Sequence, residues 1–152
     1  MPYEIAVETA QARLIAAVRV TARSAEISGV WKPALDQVWA FLEENRDLRP
    51  GHNFFLCHHP ERRNDPMNID FGVQVSRRFE PQGNIQCIDT PAGEVAMTLH
   101  VGPYDRLGEA HAAVHEWCAA HNRNIAGASW EIYGDGNNGP ALLETKIEYL
   151  LV

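Results

Sequence analysis

The 152 residues suffice for one ordinary domain, and a content of 45% hydrophobic and 22% charged residues is typical of a globular protein with a buried core. The net charge of −7 argues against a nucleic-acid-binding surface, because neutralising phosphates needs clustered Lys and Arg. The apolar runs are short and interrupted, and the N-terminus lacks a basic stretch followed by an apolar one. We therefore expect no membrane-spanning helix, no secretory signal and a cytoplasmic location.

The predicted elements follow the same order twice along the chain. In each half, two strands precede a helix and two more strands follow it, and the helices are predicted at 31–45 and 107–121. Apolar residues at helical spacing support the first helix, which would carry Pro33 in its first turn: Leu35, Val38, Trp39 and Leu42.

The two halves also resemble each other in sequence. VETAQARLIAAVRV at 7–20 reads against IDTPAGEVAMTLHV at 88–101, and WKPALDQVWAFLEEN at 31–45 reads against LGEAHAAVHEWCAAH at 107–121. This internal repeat predicts one α+β domain over 1–152, made of two tandem pseudo-symmetric ββαββ repeats at about 1–80 and 81–152. The repeats would form an antiparallel sheet with two helices on one face.

Strand residues alternate between the two faces of a sheet, so the repeat can be used to assign faces. Positions that are apolar in both halves should point at the helices, and the other positions should point away. Gly72 would leave open space on that second face, which would otherwise collect a mixture of aromatic and polar side chains typical of a ligand site: Phe55, Cys57, His100, Glu131, Tyr133, Lys146 and Glu148. An ordinary solvated sheet face is the alternative interpretation.

Histidine and cysteine residues give little support for a metal site. His111, His115 and Cys118 share one side of the second helix, a geometry that can hold a metal, but the repeat matches the two histidines with Leu35 and Trp39. Side chains next to the core are therefore the preferred interpretation. The three cysteines are dispersed without a CxxC pair, which favours reduced thiols, and no cofactor or metal is expected.

Three segments together resemble the GyrI-like small-molecule-binding domain: HVGPYDRLGEAHAAVHEWCA at 100–119, WEIYGD at 130–135 and the closing strand at 144–152. The resemblance spans nearly the whole chain. It implies eight antiparallel strands, two helices and a central ligand pocket at a pseudo-two-fold axis. It also implies that Tyr104, Glu131 and Tyr133 line that pocket.

The resemblance implies several functions. Members of this family bind hydrophobic, often cationic drugs as effector-binding domains of AraC- or MerR-type multidrug-responsive regulators, and others are stand-alone binding or gyrase-inhibiting proteins. A further branch hydrolyses electrophilic small molecules with a Glu and Tyr pair, for which the candidates are Glu131, Tyr104 and Tyr133. We expect a non-enzymatic binder of a small organic ligand that contacts neither nucleic acid nor membrane. A hydrolase is one alternative, and a protein-protein module that contacts gyrase or a DNA-binding regulator is the other.

The closing strand departs from the family pattern. Lys146 stands where many members carry a glutamate, so Glu148 would either take over its role or pair with Lys146. Glu131 would be the polar anchor of the pocket. As a partly desolvated carboxylate without a partner, it could be replaced by Gln with no loss of stability, whereas its removal would lower stability if it pairs with Lys146.

Overall fold

The computed structural model describes residues 3–62, 64–134 and 143–152. These residues form an α+β fold of eight antiparallel strands and two α-helices, which confirms the predicted fold class. In chain order the elements are β1 (Ala6–Ala10), β2 (Leu14–Ala22), α1 (Ile27–Glu43), β3 (Asn53–His58), β4 (Met67–Gln74), β5 (Gln86–Asp89), β6 (Gly93–Val101), α2 (Leu107–Ala120), β7 (Ile125–Tyr133) and β8 (Glu144–Leu151). No helix in the described ranges is both long and apolar enough to cross a membrane.

The strands and helices belong to two compact units. The central unit is Ala12–Thr90, and the terminal unit contains the described residues before and after it. The four strands of the central unit are ordered β3-β4-β2-β5, and those of the terminal unit β1-β6-β8-β7. Each unit thus carries one helix and four antiparallel strands.

This grouping differs from the boundary near residue 80 that the repeat suggested. β1 pairs with β6, from Ala6 opposite Met97 to Ala10 opposite Gly93, whereas β5 pairs with β2. The ends of β2 and β5 are joined by two hydrogen bonds, from the Arg13 amide to the Thr90 hydroxyl and from the Thr90 amide to the Arg13 carbonyl. Each short first strand therefore lies in the unit formed mainly by the other half of the sequence.

In the central unit, α1 covers the sheet face that carries Phe55. The ring of Trp31 lies 6.3 Å from that of Phe55, and the Trp39 indole N–H donates to the Asn53 side chain at 2.9 Å. The helix begins at Ile27, so Pro33 lies inside it rather than in its first turn as predicted. The buried stripe on α1 is Ala34, Leu35, Val38, Phe41 and Leu42.

Gly72 does not leave open space. A Cβ atom there would lie 2.7 Å from the backbone oxygen of Ala16, on the neighbouring strand β2. The glycine is therefore needed for close packing within the sheet.

In the terminal unit, α2 packs on one sheet face through a compact apolar cluster. The helix contributes Ala110, Val114 and Cys118, and the sheet contributes buried residues of β6 and β8: Ala96, Ile147, Tyr149 and Leu151. The same face of the sheet holds three of the candidate functional side chains, Glu131, Tyr133 and His100.

Candidate functional site

Glu131 and Tyr133 lie on the helix-covered face of the terminal unit, which corrects the face predicted for them. β7 pairs with β8 so that Glu131 is opposite Ile147 and Tyr133 is opposite Thr145. Residues directly opposite each other share a face, and Ile147 belongs to the cluster under α2. The repeat was misleading because both faces of these strands carry buried residues. Trp130, for example, is apolar and buried, yet it lies on the face away from α2.

A chain of hydrogen bonds joins α2 to the two strands. The Tyr149 hydroxyl lies 2.6 Å from His111 Nδ1, and His111 Nε2 lies 2.7 Å from Glu131 Oε2. The Tyr133 hydroxyl donates to the second carboxylate oxygen, Oε1, also at 2.7 Å. These four residues, Tyr149, His111, Glu131 and Tyr133, are called the Glu131 network below.

The Glu131 network is partly accessible. The His111 side chain is 28% exposed and that of Glu131 is 15% exposed. A ligand could therefore reach the carboxylate, while neighbouring atoms exclude most of the water around it. Electrostatic interactions are stronger in such a setting than at an open surface.

Tyr104 places a further aromatic ring beside the network. It begins a short 3-10 turn, Tyr104–Arg106, and its ring meets that of Tyr133 edge to face at 5.3 Å. Tyr104 is 45% exposed, so its ring offers apolar surface at the rim of the site. The structure thus brings together the three residues that the family resemblance predicted: Tyr104, Glu131 and Tyr133.

His100 is buried and also lies on the helix-covered face, not on the face predicted for it. Its side chain binds the turn before Tyr104. Its Nε2 lies 2.8 Å from the Pro103 carbonyl oxygen, and its Nδ1 lies 2.8 Å from the Tyr3 hydroxyl. A carbonyl can only accept, so Nε2 carries a hydrogen and Nδ1 of a neutral ring accepts from Tyr3. Burial raises the pKa of Tyr3, which helps to keep that phenol protonated, and the Glu109 carboxylate acts in the same direction.

Lys146 and Glu148 lie on the other face of the terminal unit. Glu148 is buried and accepts a hydrogen bond from the Trp130 indole N–H at 2.7 Å. The Lys146 ammonium lies 3.2 Å from the second oxygen of Glu148 and 3.4 Å from Glu8. Of the two interpretations of Glu148, pairing with Lys146 is the one found in the structure.

Phe55 and Cys57 belong to the central unit and lie on the face that α1 covers, not on the face away from the helices that was predicted for them. Phe55 contacts Phe71 edge to face at 4.9 Å, in addition to Trp31. Cys57 is half-buried. That these two side chains bind a ligand stays a prediction.

His111 and Tyr149 were not predicted as site residues. The repeat matches His111 with Leu35, which favoured a side chain next to the core. The sequence signal for the network is the combination of Glu-x-Tyr on a strand with a histidine on the covering helix. Within the described ranges, no group of three or more His, Cys, Asp or Glu side chains is arranged to hold a metal ion. Cys118 is a residue of α2, and its side chain is buried in the apolar cluster between this helix and the sheet.

A separate groove of about 1170 Å³ runs along another part of the terminal unit. It is bordered by Tyr3–Ala6, by Met97–Val101 and by one side of α2 that includes Ala113, Glu116 and Trp117. None of the four residues of the Glu131 network lines it. The groove is therefore a different place at which a small molecule could bind.

Comparison with known proteins supports the predicted family. The family model of the GyrI-like small molecule binding domain matches residues 3–150. Among solved structures, the EcmrR C-terminal domain has a TM-score of 0.79 at 22% identity, covering 100% of this chain and 99% of that chain. SAV2435 bound to tetraphenylphosphonium has a TM-score of 0.73 at 16% identity, covering 100% and 94%.

A hydrolase encoded by lin2189 from Listeria innocua also has the same fold. Its TM-score is 0.68 at 10% identity, with 99% of this chain and 93% of that chain covered. At such low identities, these structures show a common fold and nothing more. No curated protein sequence is significantly similar to this chain.

Proposed function

The chain belongs to the family of GyrI-like small molecule binding domains, and on this premise we propose that it binds an amphipathic organic molecule at the Glu131 network, as a sensing or sequestering module. The observation that carries this proposal is the carboxylate of Glu131, which lies half-buried between two hydrogen-bonding side chains, His111 and Tyr133. The ring of Tyr133 in turn contacts the exposed ring of Tyr104. A few polar groups within mostly apolar and aromatic walls are typical of small-molecule sites.

The carboxylate has capacity left for a ligand. An ionised carboxylate offers about four lone-pair positions, and His111 and Tyr133 occupy one on each oxygen. A ligand N–H, O–H or cationic group can use the remaining positions, while the apolar part of the ligand covers the Tyr104 ring. SAV2435, which shares this fold, is bound to tetraphenylphosphonium, and this makes a lipophilic cation a reasonable first probe.

Isothermal titration with tetraphenylphosphonium and a panel of neutral and cationic amphiphiles tests the proposal. We expect Glu131→Gln to weaken binding of a cation or donor ligand by about 1.5–3 kcal/mol, the range for hydrogen bonds to charged groups. Tyr133→Phe should cost about 1 kcal/mol, because it removes one neutral donor. Absence of heat and of thermal stabilisation with every ligand up to about 1 mM would contradict the proposal.

The groove beside α2 supplies the matched controls. Glu116→Gln removes a carboxylate from the groove, and Ala113→Trp fills part of it, without touching the Glu131 network. Ligand affinity should be unchanged in both variants. If these variants weaken binding and Glu131→Gln does not, the ligand binds in the groove.

Hydrolysis of electrophilic small molecules is a second candidate function, favoured by the hydrogen bonds that orient Glu131. The carboxylate would take a proton from water as the water oxygen attacks a carbon of a strained ring. The carbon–oxygen bond of the ring would then break, and its oxygen would take a proton from Tyr133 or Tyr104. Chromatography of an epoxide substrate tests this mechanism, and product formation that persists in Glu131→Gln excludes it.

A further inference from the structure

We propose that His111 determines the ligand specificity of the Glu131 network, because its protonation sets the net charge of the site and makes the binding of organic cations dependent on pH. This inference rests on the proposed function and adds to it a specificity residue and a form of regulation. It is carried by the two hydrogen bonds of His111, which constrain where its protons lie.

The partners of the imidazole determine its tautomer. An ionised carboxylate has no hydrogen to donate, so the short contact between Nε2 and Glu131 requires a hydrogen on Nε2. The other nitrogen, Nδ1, then accepts from the hydroxyl of Tyr149 at 2.6 Å. A neutral ring in the Nε2–H form therefore satisfies every contact, from Tyr149 through His111 to Glu131.

Protonation of His111 changes both the charge and the hydrogen bonding. With a neutral imidazole, the Glu131 network has a net charge of one negative unit, and with an imidazolium it is neutral. The added hydrogen on Nδ1 would point at the Tyr149 oxygen, and the hydroxyl hydrogen of Tyr149 would have to turn elsewhere. Histidine is the side chain that ordinarily changes charge between pH 5 and 8.

Among the residues that the structure describes around His111, the Glu131 carboxylate is the group of opposite charge that contacts it. β7 contributes Glu131 and Tyr133, and β8 contributes Tyr149. α2 itself contributes His115, whose ring lies 4.9 Å from that of Tyr149. The turn before α2 contributes Tyr104, together with two exposed charged residues, Asp105 and Arg106. The charged residues of β8 lie on the opposite face of the sheet: Glu144, Lys146 and Glu148.

A permanent cation should report the state of His111. Tetraphenylphosphonium keeps its charge at every pH, so its affinity should fall at least about tenfold from pH 8 to pH 5.5 as the network loses its negative charge. Triphenylphosphine oxide has a similar apolar body and no net charge. Its affinity should change less than about twofold over the same range.

Isothermal titration of two histidine variants with tetraphenylphosphonium tests the assignment. His111→Gln keeps an N–H that can donate to Glu131 but has no proton to gain, so the pH dependence should disappear. His115→Gln is the matched control, one helical turn away, and it should keep the pH dependence of the parent. If His111→Gln also keeps it, another group such as Glu131 is responsible, and the inference is wrong.

Nuclear magnetic resonance of the ligand-free protein separates this inference from the proposed function. Long-range proton–nitrogen correlations at pH 8 should show His111 in the Nε2–H tautomer. An Nδ1–H tautomer would overturn the inference even if tetraphenylphosphonium binds. If the cation fails to bind at any pH while other amphiphiles do, the role of His111 in selecting cations is wrong and the proposed function stands. If no amphiphile binds, both fail.

Discussion

Trp130 and Glu148 face each other across β7 and β8, and the indole N–H donates to the carboxylate at 2.7 Å. Both residues are only 2% exposed. The second oxygen of the same carboxylate lies 3.2 Å from the ammonium of Lys146. The buried charge is therefore stabilised by one neutral donor and one half-exposed cation.

Removing that cation should destabilise the protein. Lys146→Met leaves Glu148 with Trp130 as its strong donor, so we expect the free energy of unfolding to fall by about 1–2 kcal/mol, a value reduced for the partial exposure of the lysine. Adding Glu148→Gln should recover part of this loss, because the stranded charge is then gone. Urea denaturation of the single and double variants measures both effects.

Lys32 provides the control for this experiment. It pairs with Asp36 on the exposed side of α1, with both side chains more than 60% exposed. Lys32→Met should change the stability by less than about 0.5 kcal/mol. Equal losses for Lys32→Met and Lys146→Met would show that burial of Glu148 does not matter for the pair.

A second buried carboxylate, Asp70, supports a prediction in the central unit. Arg19 contacts both of its oxygens, at 2.8 and 3.0 Å, and His58 Nε2 lies 2.7 Å from one of them. Asp70 is fully buried, so Arg19→Met should lower the free energy of unfolding by about 2–4 kcal/mol. Arg78→Met is the matched control, since its pair with Asp89 is exposed, and its urea midpoint should stay close to that of the parent. Indistinguishable urea midpoints for the two variants would refute the prediction.

The elements were predictable from the sequence because their signals are local. Apolar residues at helical spacing located α1 and α2, although α1 begins earlier than predicted. The pairing of β1 with β6 and of β5 with β2 was not predictable, because the choice of strand partner depends on contacts between distant residues rather than on spacing. The repeat predicted the order of the elements but not which unit each first strand belongs to.

The candidate site was predictable only in part, for a related reason. Alternation along a strand separates two faces, but it does not show which face a helix covers when both are buried. Glu131, Tyr133 and His100 were therefore grouped with Lys146 and Glu148, which lie on the opposite face. The bond between His111 and Glu131 needs the packing of α2 on the sheet, which the sequence pattern did not resolve.

The thiol of Cys118 should react slowly with thiol reagents, and its ionisation should lower the stability of the protein at alkaline pH. Burial in the core under α2 raises the pKa of its thiol, although nearby Arg123 opposes the shift. The unfolded chain therefore loses this proton first as the pH rises. The resulting contribution to stability is complete below the ordinary thiol pKa of about 8.5 and is lost as the pH rises through the higher folded value.

Two measurements check the prediction for Cys118. In the native protein at pH 8, Ellman's reagent should modify Cys118 at least about tenfold more slowly than half-buried Cys87. Between pH 8 and 10, the parent should lose more stability than Cys118→Ala, which has no thiol to titrate. Parallel pH profiles for the two proteins would rule out a raised pKa.

Glu131→Gln should lower the stability of the ligand-free protein, in contrast to the expectation for an unpaired carboxylate. The carboxylate accepts hydrogen bonds from His111 and Tyr133, so the variant weakens two charge-assisted contacts and turns an amide N–H₂ towards one of the two donors. We expect a loss of about 1–2 kcal/mol at pH 8, measured by urea denaturation. His111→Gln should lose a similar amount. Because both variants break the same bond, the double variant should lose less than the sum, with a coupling of about 0.5–1.5 kcal/mol. If Glu131→Gln melts at or above the parent temperature, burial of the carboxylate costs more free energy than its two hydrogen bonds contribute. The packing of α2 alone would then hold the network together.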